Sequence, residues 1–295
     1  MPKNAKGSNL VSVSRKKAVP TTTMPARWFP LECNPDVMSR YVAQLGLQSE
    51  SRLAFHDVFG FEDDLLAMIP PGRLCALLLL YPISRANTAY SVAQIRAQYP
   101  ALMTEKRDDD DAAATALIDS DTVAAADPSS VSAPPFFVKQ TIANACGTIG
   151  IIHALMNNRD CVSFADGSFL ANFAKDASGK SPGQLAALLE SSVTLNETQA
   201  VAANEGQTNN QSIDTPIYTH FISFVEVGGD VWKLDGRLPG PIKVSPRPAA
   251  PATSSSSSAA DIGSLLRAAA DETKTLMSLD PTEVNFSCVA CVIEE

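Results

Sequence analysis

Residues 136–155, Phe-Phe-Val-Lys-Gln140-Thr-Ile-Ala-Asn144-Ala-Cys146-Gly-Thr-Ile-Gly-Ile-Ile-His153-Ala-Leu155, decide how the rest of the chain is read. A strand-like run enters a polar Gln/Thr/Asn turn. The spacing of Ile149, Ile152 and Leu155 then predicts a helix that buries those three residues. Cys146 falls in the first helical turn, where unpaired backbone N–H groups and the positive end of the helix dipole stabilise a thiolate and lower its pKa from about 8.5. Gly147 leaves room beside the sulfur for a backbone to approach. Gln140, upstream on the same turn, can aim its amide N–H at the oxygen that becomes negative when a thiolate attacks a carbonyl, with the Cys146 N–H as its partner. The competing reading is a buried cysteine that merely starts a core helix.

A thiol hydrolase also needs a base, and the chain has three histidines. His153 lies two turns along the helix from Cys146, about 10 Å of axial rise, too far to take that proton, so a structural role is expected. His56 precedes an acid in a polar stretch and reads as a surface residue. His220 opens residues 220–227, His-Phe-Ile-Ser-Phe-Val-Glu-Val, which Gly228-Gly229 turns back into residues 230–237, Asp-Val-Trp-Lys-Leu-Asp-Gly-Arg. This is a β-hairpin by composition and spacing. With a two-residue turn Ile222 lies opposite Asp235, so His220 and Asp235 are diagonal neighbours on one face. The same register sets Glu226 diagonal to Lys233 and gathers Phe221, Val225, Val227, Trp232 and Leu234 on the other, buried face. The hairpin thus presents an imidazole with a carboxylate beside it to hold its tautomer. The plainer alternative is an edge histidine beside an incidental acid.

Around these segments the pattern is that of an ordinary globular core. Asn34-Pro35-Asp36 supplies an N-cap, a first-turn proline and an early acid; a helix should run to about Leu45, with Val37, Tyr41, Gln44 and Leu45 on one face and Gly46 as its stop. A short second helix is expected within residues 57–68. Residues 74–81 form a continuous apolar run bounded by Pro71-Gly72 and Pro82, the mark of a strand buried on both faces. Ile262, Leu265, Leu266, Ala269 and Leu276 trace a late helix, and residues 284–293 a last strand. That strand contains Cys288 and Cys291 at the spacing of some zinc sites, but no second Cys/His pair lies near them, and two thiols in a buried strand are the expected reading. Residues 1–26 carry Lys3, Lys6, Arg15, Lys16 and Lys17 without an acid and read as a disordered basic arm. Residues of about 104–135 and 246–260, rich in Asp, Ala, Ser and Pro without period, read as low-complexity inserts.

The formal charge of −9 argues against a nucleic-acid partner. No run approaches the roughly 18 apolar residues of a membrane helix, so no membrane partner is expected. Six cysteines without a hydrophobic leader point to free thiols in a reducing compartment, hence a cytoplasmic location with the nucleus as a second.

Taken together, residues 140–155 and 220–242 resemble the catalytic blocks of the ubiquitin C-terminal hydrolases. Residues 27–47 resemble that family's N-terminal block, 74–83 its central strand, and 204–208 (Asn-Glu-Gly-Gln-Thr) the loop that crosses its active site. The resemblance implies an α/β (α+β) papain-like cysteine protease fold in which a central antiparallel β-sheet is flanked by helices and the chain path is knotted, with residues 27–295 forming a single catalytic domain. It implies hydrolysis after the C-terminal glycine of ubiquitin, with Cys146 as nucleophile, His220 as general base and then acid, Asp235 as its orienting partner and Gln140 as the oxyanion donor. It also implies that Pro30, Leu31, Glu32, Asn144, Ile217 and Thr219 touch the substrate, and that a crossover loop at about 197–216 favours small or unfolded adducts. No metal or cofactor is implied, and a monomer is expected. Thr219 stands where the family has a more apolar residue, and Gly240 where a bulky one is usual. Two alternatives stay open: the same chemistry on a ubiquitin-like modifier, or a catalytically weak ubiquitin-binding module.

Overall fold

The computed structural model describes residues 27–100, 134–207, 212–213, 215–244 and 263–295; the basic arm, nearly all of the first insert, the second insert and Ile262 lie outside them. The chain opens with α1 (Pro35–Leu45), whose N-cap Asn34 accepts hydrogen bonds from Asp36 N and Val37 N, and which stops at Gly46 in the left-handed region, φ 109°. Its buried face is Val37, Met38, Tyr41, Val42 and Leu45. Gln44, expected on that face, is exposed and donates to Glu205 instead. Strand β1 (Leu53–Asp57) follows, then the short α2 (Asp63–Leu66) within the span expected, and β2 (Gly72–Pro82) on the long apolar run.

Helix α3 (Arg85–Gln98) precedes the first insert, and α4 (Cys146–Met156), α5 (Phe169–Asp176), α6 (Pro182–Ser191) and α7 (Val193–Asn204) follow it. The hairpin is β3 (Thr219–Val227) and β4 (Asp230–Leu234), with β5 (Ile242–Val244) beside it; α8 (Ser264–Leu279) and β6 (Ser287–Glu294) close the described chain. The strands form one six-stranded sheet in the order β1-β6-β2-β3-β4-β5, with every pair antiparallel.

Alternation along the central strands fills two cores. On β2, Ala76 and Leu78 join the larger core with α1 and α4 to α7, while Leu77, Leu79 and Tyr81 join a second core with α8 and Leu66 of α2. The hairpin register is the one its sequence specifies, with Ser223 opposite Leu234 and Val227 opposite Asp230. Phe221, Val225, Trp232 and Leu234 pack on the α4 side as expected. The opposite face is buried too, because α8 covers Ile222, Phe224 and Val231. Burial there separates Lys233 from its expected diagonal partner Glu226: Lys233 Nζ lies 2.6 Å from Glu272 Oε1 of α8. Cys288 and Cys291 point into opposite cores, three positions apart on one strand, so they cannot chelate a single ion together.

Residues 134–140 take no regular secondary structure and pair with none of the described strands. Side chains of the α4 end take the place of a neighbouring strand: Phe136 N donates to Asn157 Oδ1 (2.7 Å), Asn157 Nδ2 donates to Phe136 O (2.9 Å), and His153 Nε2 lies 3.0 Å from Val138 N. His153 is therefore structural, fully buried and stacked on Phe137. Burial holds its pKa down to about 4 from the ordinary 6.5. The unfolded chain binds that proton near pH 6.5 and the fold only near 4, so the contribution is complete above pH 6.5 and is lost as pH falls toward 4, by about 3 kcal/mol. Urea unfolding at pH 7 and pH 4.5 should show this loss in the natural chain and a smaller one in His153→Leu; equal losses would refute it.

Candidate active site

The N-terminal segment, the α4 turn and the hairpin converge at Cys146. Asn144 sits at φ 63° just before the helix, a conformation that asparagine tolerates, and its Nδ2 donates to Trp28 O at 3.0 Å. Trp28 N returns a bond to Ala143 O at 3.0 Å, while Trp28 Nε1 and Phe29 O are held by Asn196 and Gln199 of α7. Leu31 is thereby laid against Gly147, where an added Cβ would meet Leu31 Cβ at 3.0 Å. The space beside Gly147 is thus taken by the Leu31 and Phe221 side chains, while the Phe221 backbone amide approaches the sulfur.

His220 Nε2 lies 2.7 Å from Asp235 Oδ1, both nearly fully buried, which leaves Nδ1 as the ring nitrogen for the Cys146 thiol. Burial pushes the Cys146 thiol up, but the hydrogen bond and charge of His220, the Phe221 amide and the Arg237 charge outweigh it, and the pKa ends below its ordinary value. Burial and Arg237 push His220 down while Asp235 and the thiol push it up, with a net rise. A lowered thiol and a raised imidazole favour a thiolate–imidazolium pair. The other five cysteines are all shifted the opposite way: burial pushes Cys33 to about 12 and Cys75 to about 11, and raises Cys161, Cys288 and Cys291.

Gln140 reaches the same place from the 134–140 segment. Its N donates to Gly236 O at 2.8 Å, and a Cβ on Gly236 would stand 3.1 Å from Gln140 Cβ and 2.9 Å from Ile149 Cγ2, so only glycine lets the Asp235 loop approach this closely. One N–H of the Gln140 amide goes to Ile142 O at 3.2 Å, which leaves its second N–H for a substrate oxygen. Cys146 opens into a cavity of about 350 Å³. Pro30, Leu31, Glu32, Asn144, Ile217 and Thr219, the six residues expected at the substrate, all line it. The expected crossover loop starts later than its sequence suggests. Residues 197–204 are the last turns of α7, and the chain leaves helical geometry only at Glu205, which is anchored to Arg40 at 2.9 Å.

The sequence model described as "Ubiquitin carboxyl-terminal hydrolase, family 1" matches residues 28–263. This chain belongs to that family. It is 34% identical over 265 residues to ubiquitin carboxyl-terminal hydrolase 3 of Arabidopsis thaliana, covering 90% of this chain and 93% of the relative. It is 32% identical over 261 residues to ubiquitin carboxyl-terminal hydrolase isozyme L1 of Macaca fascicularis, covering 88% and 96%. In fold it is similar to the Trichinella spiralis UCH37 catalytic domain, solved bound to ubiquitin vinyl methyl ester, with a TM-score of 0.58 at 16% identity over 92% of this chain and 99% of that one.

In this family-1 hydrolase one further residue belongs to the site and escaped the sequence reading. The Arg237 backbone N donates to Asp235 Oδ1 at 2.9 Å, and its guanidinium lies 3.3 Å from Asp235 Oδ2 and 3.4 Å from Tyr81 Oη. It holds the carboxylate well below its usual range together with His220, after burial has pushed the other way. The signal was an arginine two residues past the acid, across a glycine. Tyr81, edge-on to the His220 ring at 6.1 Å, carried no comparable signal within its apolar strand. Around the Gly240 turn Ile95, Leu238 and Ile242 form a small buried cluster with Tyr99 packed against it, and Tyr99 Oη donates to Pro241 O at 2.6 Å.

Proposed function

We propose that this chain is a deubiquitinating thiol hydrolase that cleaves small or unfolded adducts from the C-terminal glycine of ubiquitin. The Cys146 thiolate attacks the glycine carbonyl, and the developing oxyanion is met by the free N–H of Gln140 and the Cys146 backbone N–H. The imidazolium of His220 gives its proton to the leaving amine as the C–N bond breaks, leaving a thioester. His220, now neutral and steadied by Asp235, takes a proton from water, which attacks the thioester; the C–S bond breaks, the Cys146 thiolate returns beside the imidazolium, and ubiquitin leaves with a free C-terminal carboxyl group, which ionises in water.

The observation that carries this reading is that Cys146 alone of the six cysteines has a lowered pKa, and that its partner His220 is itself held by Asp235. The family supports ubiquitin as the substrate. The cavity of about 350 Å³, lined by residues 30–33 and 215–219 among others, supports a preference for small adducts. Ubiquitin carrying a C-terminal electrophile should form a covalent adduct with the natural chain and none with Cys146→Ala, read by mass spectrometry. No adduct with the natural chain, or faster turnover of a ubiquitin-like modifier than of ubiquitin, would overturn the reading.

A further inference from the structure

The support behind Gln140 is unusual, because a strand-like segment normally meets its buried backbone groups on a neighbouring strand. Here Phe136 and Val138 meet theirs on two side chains at the C-terminal end of α4, His153 and the C-cap Asn157. Asn157 accepts from Phe136 N and donates to both Phe136 O and His153 O, the latter at 2.8 Å. His153 Nε2 lies 3.0 Å from Val138 N and 3.2 Å from Val138 O, so either tautomer meets one backbone group of that residue. His153 and Asn157 are four residues apart and share a face of the helix. Residues 136 and 138 are alternate positions of the segment, and Gln140 is the next in that series. The segment is thus held at Phe136 and Val138 by the α4 end, at Lys139 through its N on Pro182 O at 3.4 Å, and at Gln140 through its N on Gly236 O of the loop after Asp235.

The same helix carries Cys146 at its first residue. We propose that His153 and Asn157 are positioning residues for the oxyanion donor: they dock the 136–140 segment on α4, so that one rigid helix sets the distance between the attacking sulfur and the Gln140 amide. This rests on the thiol-hydrolase reading above and adds to it. The Gln140 side chain contributes little to its own placement. Among the described residues its Oε1 is buried with no hydrogen-bond partner, and one bond, to Ile142 O, holds the amide. The backbone must therefore supply the alignment, and displacements of order 1 Å are enough to weaken a transition-state hydrogen bond. The neutral state of His153, kept by burial, suits a ring whose task is to bond backbone rather than to move protons.

The test is a double-mutant comparison on ubiquitin carrying a C-terminal fluorogenic amide. His153→Leu and Asn157→Ala should each lower kcat about tenfold with KM within about twofold, and in a Gln140→Ala background the same changes should lower it less than about twofold further. Alkylation of Cys146 by iodoacetamide needs the thiolate but no oxyanion donor, so its rate should stay within about twofold of the natural chain in both variants. Asn157→Asp, which keeps the side-chain shape but sets a carboxylate oxygen against Phe136 O, should reproduce the result if His153→Leu fails to fold. Equal losses with and without Gln140, or alkylation that slows in step with turnover, would overturn the positioning role alone. Absence of turnover by the natural chain would overturn the thiol-hydrolase reading and this one with it.

Discussion

Asp235→Asn is expected to lower kcat on fluorogenic ubiquitin by roughly 10³- to 10⁴-fold. The carboxylate Oδ1 holds His220 Nε2 at 2.7 Å, fixing which ring nitrogen faces the sulfur, and its charge helps raise the imidazole. An asparagine keeps the shape, but the side-chain charge is gone and the amide can present N–H where oxygen is required. His220 then loses a cause of its raised pKa, and the thiol loses the imidazolium that lowers its own. The ion pair exists above the thiol pKa and below the imidazole pKa, so the pH window of kcat/KM should narrow from both sides as the two values move together. The fold should survive, because Arg237, left without its carboxylate, is 22% exposed and can reach water. A variant within tenfold of natural activity across pH 5–9 would contradict this account of Asp235.

A second large effect concerns stability. Lys233 Nζ and Glu272 Oε1 are 2.6 Å apart, with side chains 1% and 4% exposed. Gln94 Oε1 also accepts from Lys233, Tyr90 Oη donates to Glu272 Oε2 at 2.9 Å, and the ammonium stands 5.2 Å from the Tyr90 ring centroid. Burial pulls the lysine pKa down and Glu272 pulls it back up, so this charge depends on its partner. Lys233→Met leaves a buried carboxylate and Glu272→Leu a buried ammonium; each should destabilise by about 3–5 kcal/mol. The double replacement removes both charges and leaves Gln94 Nε2 bonded to Tyr90 Oη at 3.0 Å, so it should lie near the natural chain, well short of the sum of the singles. Chemical denaturation of the four proteins checks this, and additive losses would refute the coupling.

Much of the site was legible because its parts are local. The caps of α1 lie within a few residues of one another, and the Gly228-Gly229 turn fixes the pairing of the hairpin, so His220 and Asp235 could be brought together from spacing alone. The helix start at Cys146 is likewise a short-range property. Residues 136–139 look strand-like in sequence but join no described strand, because apolar residues of this kind look alike whether a strand or a pair of helix side chains meets their backbone. β1 went unread because five residues on a sheet edge give only a brief alternation.

What the sequence by itself determined was therefore the set of reactive groups and the short-range geometry of each: a thiol at a helix start, an imidazole beside a carboxylate, a glutamine upstream. The tertiary structure alone decided how they meet. It placed β6 between β1 and β2, laid α8 over the hairpin so that Lys233 took Glu272 rather than Glu226, brought Arg237 and Tyr81 to Asp235, and set His220 against Cys146 across 74 positions of sequence. Turns and caps are specified by neighbouring residues. Contacts of that separation are selected only when the whole core packs, because their loop-closure entropy must be offset by burial distributed over many residues.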